Sequence, residues 1–249
     1  MRAAPGVCVL ALLVALALPA CGDDGSGDQA VVIDVFAAAS LTDALQEVAE
    51  KFIADTPGVE VKFNFLASSD LATQIIEGAR AHVFASADEA NIAKVIDEGL
   101  ATDSQVLVLN RLAIVVAAGN PNAISGLDDL EDPELVVALC NEECPAGRYA
   151  REVFEKAGVS VEADSQEADV RGVLTRVGLG EADAGIVYVT DIEADPEVEA
   201  VDIAPSQNVV ATYPIAVLEG APPEAEDFVT FVRSSAGERV FEAHGFELP

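Results

Sequence analysis

At several points along the chain a hydroxyl or a small residue stands where a segment of helical spacing begins. Ser40 closes "FAAAS" ahead of "LTDALQEVAEKF", Ser68 and Ser69 precede "DLATQIIEGA", Pro145-Ala146-Gly147 opens "RYAREVFEKAG", and "ADVRGVLTRVG" begins at an acidic cap, Asp169. The first turn of a helix leaves backbone N–H groups without an intrahelical acceptor and carries the positive end of the helix dipole. If such starts converge on one rim they make an anion site. Taken singly, each serine is an ordinary cap. Tyr188, after Ile186 and Val187, reads as the end of a buried strand whose hydroxyl is satisfied locally.

Serine also suggests nucleophilic catalysis. That chemistry needs a base within reach and a sharp strand-to-helix turn, yet no G-x-S-x-G elbow is present, and His82 and His244 lie in segments with structural readings. No catalytic residue is assigned on this basis. Cys140 and Cys144, in "CNEECPAG", have no histidine nearby and supply half of a tetrahedral zinc shell. In an exported chain a close pair is expected to form a disulfide, which would stiffen the loop before Pro145. Neither a metal cation nor a cofactor is expected.

The elements that must position these groups alternate. Val31 to Ala37 reads as a strand, Leu41 to Ala54 as a helix with apolar Leu41, Ala44, Leu45, Val48 and Phe52, and Val59 to Phe65 as a strand. Further strands are expected at "HVFASA", Val106 to Leu109 running into "RLAIVVAAGN", Leu135 to Leu139, Ala184 to Val189 and "ATYPIAVLEG". Helices are expected at Leu71 to Ala79, Ala90 to Glu98, Ala146 to Ala157, Asp169 to Val177, Pro223 to Ser234 and Gly237 to His244. Repeated strand-helix-strand predicts an α/β fold of mainly parallel sheets flanked by helices. Two series joined by two crossings, near Leu109 to Ala113 and Val209 to Pro214, predict one lobe from residues 30–109 plus 212–249 and another from 110–211. Two crossings make a hinge, and a ligand would sit between the lobes.

The amino-terminal text is of another kind. Arg2, an apolar stretch from Val7 to Leu18, and Leu18-Pro19-Ala20-Cys21 read as a secretory signal over residues 1–20. The last four residues resemble a bacterial lipobox, which implies lipid on Cys21 and a membrane tether through a Gly/Asp/Ser linker, residues 21–29. No later segment has the length of a membrane span. Removing residues 1–20 takes away one arginine and leaves 12 basic against 44 acidic side chains. Such a balance argues against nucleic acid as a partner, because phosphate binding needs a basic face.

Eight ordered stretches, "VFAAASLTDAL", "ASSDLATQI", "FASAD", "CPAGRYA", "DVRGVL", "GIVYVTD", "YPIAVLEG" and "HGF", together resemble the molybdate-binding proteins of bacterial ABC transporters. The resemblance implies the two-lobed, type II periplasmic binding fold. It implies a molybdate or tungstate oxyanion held by Ser40, Ser68, the backbone at Ala146 and at Val170, and the hydroxyl of Tyr188, with sulfate as the alternative ligand. It further implies an ABC permease as partner and a monomer lipid-anchored on the outer face of the membrane. The small residues Ala37 to Ala39 would then let the ion approach the backbone, and Val170 needs no polar side chain because its N–H is the donor. Two positions depart from the family pattern: His82, where an acid is usual, is read as a strand-edge residue, and Arg148, where an apolar residue is familiar, either points outward or adds a cation at the cleft mouth.

Overall fold

The apolar run Val31–Ala38 forms β1, which pairs in parallel with β2 (Val59–Leu66) on one side and β3 (Val83–Ala85) on the other. From Val35 onward β1 is buried on both faces, so it shows no polar alternation. A computed structural model describes residues 30–193 and 195–249; the signal segment, Cys21 and the linker lie outside the described residues. Helices α1 (Thr42–Asp55), α2 (Ser68–Ile76) and α3 (Glu89–Asp97) follow these strands in turn. On α1 the residues Ala44, Leu45, Val48 and Phe52 are buried at helical spacing. Removing side chains of this size from water contributes about 1.5–3 kcal/mol each for Leu45, Val48 and Phe52.

The strand β4 (Gln105–Ala117) joins the two halves of the molecule. Its first part, to Arg111, pairs antiparallel with β9 (Val210–Val217), which in turn pairs with β3. From Leu112 it pairs instead with β7 (Ala184–Tyr188), and from Ala113 also with β8 (Val198–Asp202). A change of partner leaves backbone groups to be satisfied at the switch. Asn208 does this: its Nδ2 donates to the Leu112 carbonyl at 2.8 Å, and its Oδ1 accepts from the N–H groups of Leu112 and Val209. β4 thus changes partners at Leu112 within one continuous strand.

The second half contains β5 (Val137–Cys140), α4 (Pro145–Ala157), β6 (Ser165–Glu167), α5 (Val170–Gly178) and, after β7, α6 (Val189–Glu193). β5 pairs in parallel with β6 and β7. The path through the sheet is β2-β1-β3-β9-β4-β7-β5-β6, with β8 beside β4. The chain closes with α7 (Pro223–Val232) and α8 (Ser235–Ala243), and Phe228 of α7 meets Phe52 of α1 edge to face, with ring centroids 5.2 Å apart. Among the described residues no helix is long and apolar enough to cross a membrane.

This arrangement is the α/β class expected, with β9 and β4 as the antiparallel members. Several boundaries differ. α2 begins at Ser68 rather than Leu71, and α1 at Thr42 after a 3-10 turn, Ala39–Leu41. β6, β8 and α6 carry no sequence expectation: β6 is only "SQE", and β8 is a short strand with exposed Glu199, Ala200 and Asp202.

Candidate functional site

Where β1, β2, β5 and β7 end, at Ala38, Leu66, Cys140 and Tyr188, helical segments follow, and these ends surround one small, narrow cavity. Ser40, Ser68, Val170 and Tyr188 line it, with Ala38, Ala39, Ala67 and Ala87 as small wall residues. Ala146 is buried one residue behind Pro145, which also lines the cavity. Four of the five ligand positions implied by the sequence are therefore on the wall, and the fifth is adjacent to it.

The helix starts at this cavity are open in a consistent way. The 3-10 turn has Ala38 as its cap, α2 has Ala67, and α4 has Cys144, and none of these makes a side-chain capping bond. Ser40 and Ser68 are thus inside their first turns rather than caps. In α2 the first intrahelical acceptor, the Ala67 carbonyl, serves Asp70 and Leu71, which leaves the N–H groups of Ser68 and Ser69 ahead of it. In α4 the corresponding bond runs from Arg148 N–H to the Cys144 carbonyl, ahead of which stand Ala146 and Gly147. α5 is capped by Asp169, but its carboxylate takes the N–H of Gly172 at 3.0 Å and leaves Val170 at the first position. Gly147 has a close-approach role: a Cβ there would lie 2.0 Å from the carbonyl oxygen of Asn141.

Both serine hydroxyls have buried partners. Ala87 N–H donates to Ser68 Oγ at 2.9 Å, so the Ser68 proton is left for the cavity. Ser40 Oγ lies 2.9 Å from the Tyr213 hydroxyl, which is 3.5 Å from the Nδ2 of Asn110. Asn110 Nδ2 can only donate to Tyr213, while either hydroxyl of the Ser40–Tyr213 pair can be the donor to the other. Tyr188 is buried, its ring packs edge to face on Tyr213, and its hydroxyl has no hydrogen-bond partner among the described residues. Burial pushes the Tyr188 hydroxyl well above the usual tyrosine range, so it stays a protonated donor.

A buried donor without an acceptor is expensive, at about 1–3 kcal/mol, unless a ligand supplies the acceptor. Several donors face one small cavity, whose lining also includes Asp169, a carboxylate that accepts the N–H of Gly172; such donors match an oxyanion that carries no proton.

The family model for bacterial extracellular solute-binding proteins matches residues 33–247. The chain belongs to the bacterial extracellular solute-binding proteins. Among relatives of this solute-binding protein, the molybdate-binding protein ModA of Mycobacterium tuberculosis is 40% identical over 252 residues, covering 97% of this chain and 96% of the relative. ModA of Haemophilus influenzae is 34% identical over 229 residues, covering 86% and 89%. In fold, the periplasmic molybdate-binding protein of Azotobacter vinelandii superposes with a TM-score of 0.76 at 20% identity, covering 87% of this chain and 99% of the other.

The structure corrects the sequence expectation for the two cysteines of this solute-binding protein. Cys140 and Cys144 are free thiols, both buried, and not the expected disulfide. Cys140 sits at the end of β5 and Cys144 at the cap of α4. The neighbouring sulfur, together with burial, pushes the Cys140 thiol well above the usual range, and the same neighbour pulls that of Cys144 down. Arg148 does not point outward: its guanidinium pairs with Asp88, the buried cap of α3, from the other half of the sheet. His82 accepts the Asp34 N–H at 3.0 Å and His244 pairs with Glu47 at 3.0 Å, in keeping with the structural reading of both histidines.

Sequence reasoning missed Tyr213, Asn110 and the pair Arg171 and Asp191. Tyr213 was visible only as one aromatic in "ATYPIAVLEG", and Asp191 as an acid directly after the buried strand "GIVYVT". Asp191 is fully buried, accepts the Tyr188 N–H at 3.1 Å, and is pushed up to about 7 by burial, against the opposing pull of Arg171.

Proposed function

We propose that this solute-binding protein captures molybdate, and tungstate with it, in the cavity between the halves of the sheet and presents it to a membrane ABC importer. The observation that carries the reading is the buried Tyr188 hydroxyl without a hydrogen-bond partner among the described residues, on the same cavity that Ser40 and Ser68 line. The likeness to the molybdate-binding ModA proteins over 96% and 89% of their length supports it.

Neutral donors suit a tetrahedral dianion. Each hydrogen bond to an ionised acceptor contributes ~1.5–3 kcal/mol, so several outweigh the repulsion of a surface whose charges are screened within ~8 Å at physiological salt. Monohydrogen phosphate would leave its O–H unpaired among donors, a penalty of about 1–3 kcal/mol. Sulfate carries no such penalty and is separated from molybdate by size alone.

We place the moving lobes at residues 30–109 with 212–249, and at 110–211, hinged where β4 changes partner and where the chain returns to β9. Ligand donors from both lobes then favour the shut form. The lipid tether at Cys21 and a monomeric state belong to the same proposal.

Thermal unfolding with molybdate, tungstate, sulfate and phosphate tests it. A ligand at a hundred times its Kd stabilises by about 2.7 kcal/mol. Stabilisation by molybdate and tungstate but not phosphate is expected. Stabilisation by phosphate alone, or by none of the four, overturns the reading.

A further inference from the structure

Next to Val170, on the first turn of α5, stands Arg171, whose side chain faces two carboxylates from different halves of the sheet. Its Nη2 lies 2.5 Å from Oδ2 of Asp43, on the first turn of α1 and three residues beyond Ser40. Its Nε lies 3.8 Å from Oδ1 of Asp191. Asp191 is fully buried, and its other oxygen accepts the backbone N–H of Tyr188 at 3.1 Å.

One detail separates the two contacts. The bond to Asp43 is a short charge-assisted hydrogen bond, whereas Arg171 Nε and Asp191 Oδ1 are both buried and both without a hydrogen-bond partner among the described residues. A charge-assisted N–H···O bond closes at about 2.7–2.9 Å, so the Asp191 contact is roughly 1 Å too long to be one. The guanidinium is held toward α1 at the expense of the buried carboxylate. Withdrawal of α1 would release it, and the unpaired Asp191 oxygen is then its nearest acceptor.

Two groups of the oxyanion cavity are therefore linked through one cation. Asp43 moves with the turn that carries Ser40, and Asp191 holds the backbone of Tyr188. We propose that Arg171 is a positioning residue that exchanges partners on closure, bridging to Asp43 when the halves are shut and falling back on Asp191 when they part, so that the placement of Tyr188 is coupled to closure of the cleft. This rests on the oxyanion reading for its ligand, but not for its motion. It requires no contact between Arg171 and the ion.

The test uses the soluble domain, the substitutions Asp43→Asn, Arg171→Lys and both together, and two readouts. Distance distributions between spin labels on exposed positions of the two halves report closure without ligand, and titration with molybdate reports affinity. Asp43→Asn removes only the half-exposed partner and leaves Arg171 to neutralise Asp191, so it keeps the fold even if changes at Arg171 do not. The expected result is a ligand-free distribution shifted toward the open form, a Kd raised by roughly 3- to 10-fold, and no further rise when Arg171→Lys is added to Asp43→Asn. Unchanged distributions, or affinity losses that simply multiply, overturn the coupling. If the wild type takes up no molybdate while its distribution still opens in Asp43→Asn, the functional reading fails and the partner exchange stands.

Discussion

The Tyr213 hydroxyl lies 2.9 Å from Ser40 Oγ, although the two residues are 173 positions apart in the chain. Tyr213 is fully buried on β9 and Ser40 sits in the turn after β1, so the contact is made by the packing of β3 between these strands. Tyr213 holds the Ser40 hydroxyl at the cavity wall through this bond. Replacement of Tyr213 by phenylalanine frees the Ser40 hydroxyl to rotate and removes one buried hydrogen bond, worth about 1 kcal/mol. A rise of about fivefold in the molybdate Kd is expected by isothermal titration. Ser40→Ala, which deletes a bond to the ion itself, should raise it by about 10- to 150-fold. Equal effects of the two substitutions would show that Tyr213 does more than orient Ser40.

The pair Arg148 and Asp88 crosses the cleft at another point. Asp88 is buried and would survive the loss of its partner, because it also accepts from the N–H of Asn91 at 2.8 Å, from the Asn91 amide at 3.1 Å and from Ser86 at 3.3 Å. Arg148→Ala should therefore leave the protein folded while removing an attraction that exists only when the halves are together. Because the arginine is about a third exposed, the effect is discounted for screening, and a three- to tenfold rise in Kd, mainly in the dissociation rate, is expected. Stopped-flow displacement measures it. An affinity equal to that of the wild type would make the pair a surface contact of no consequence for binding.

What the sequence disclosed about this site follows from the range of its signals. Ser40 and Ser68 are visible as hydroxyls at the start of amphipathic helices, and Val31 to Ala37 is visible as an apolar run, since both signals are local in the chain. The orientation of the serine hydroxyls is not local. It depends on Tyr213 for Ser40 and on the Ala87 N–H for Ser68, and neither partner carries a mark of its role. The same holds for Asn208, whose amide replaces a strand partner for Leu112 only because β4 changes neighbours there. Val170 entered through resemblance to a family, and composition gave no hint of it. β6, three polar residues, has no apolar period to detect at all.

The thiols of Cys140 and Cys144 are both buried, four residues apart in the chain, and close enough to shift one another's ionisation. A mild disulfide-forming oxidant such as diamide, taking up the two electrons and two protons lost, should join them within one chain. The expected product is monomeric, lighter by two hydrogens, and unreactive to maleimide after unfolding. Closing so short a loop adds about 2 kcal/mol at most through the unfolded chain. Mixed dimers, or thiols that stay reactive, would mean that the end of β5 and the start of α4 cannot bring the sulfurs into bonding geometry.

Asp191 makes the stability depend on pH in a direction that can be worked out. Burial raises its carboxyl to about 7 in the folded protein, opposed by Arg171 and the Tyr188 N–H and reinforced by Asp169 and Asp43, whereas in the unfolded chain it ionises near the ordinary value of 3.8. Between these values the folded state holds a proton that the unfolded state has lost. The stabilisation from that proton is complete below the unfolded value and disappears as pH rises through about 7. Asp191→Asn keeps an acceptor for Tyr188 but has nothing to titrate. Urea unfolding of both proteins from pH 5 to 8 should show wild-type stability falling relative to the variant, by no more than about 1.4 kcal/mol per pH unit, and levelling above 7. Parallel curves would place the charge of Asp191, fully compensated by Arg171, in the folded state throughout, and a gap widening in the opposite sense would mean that the Arg171 pair outweighs burial.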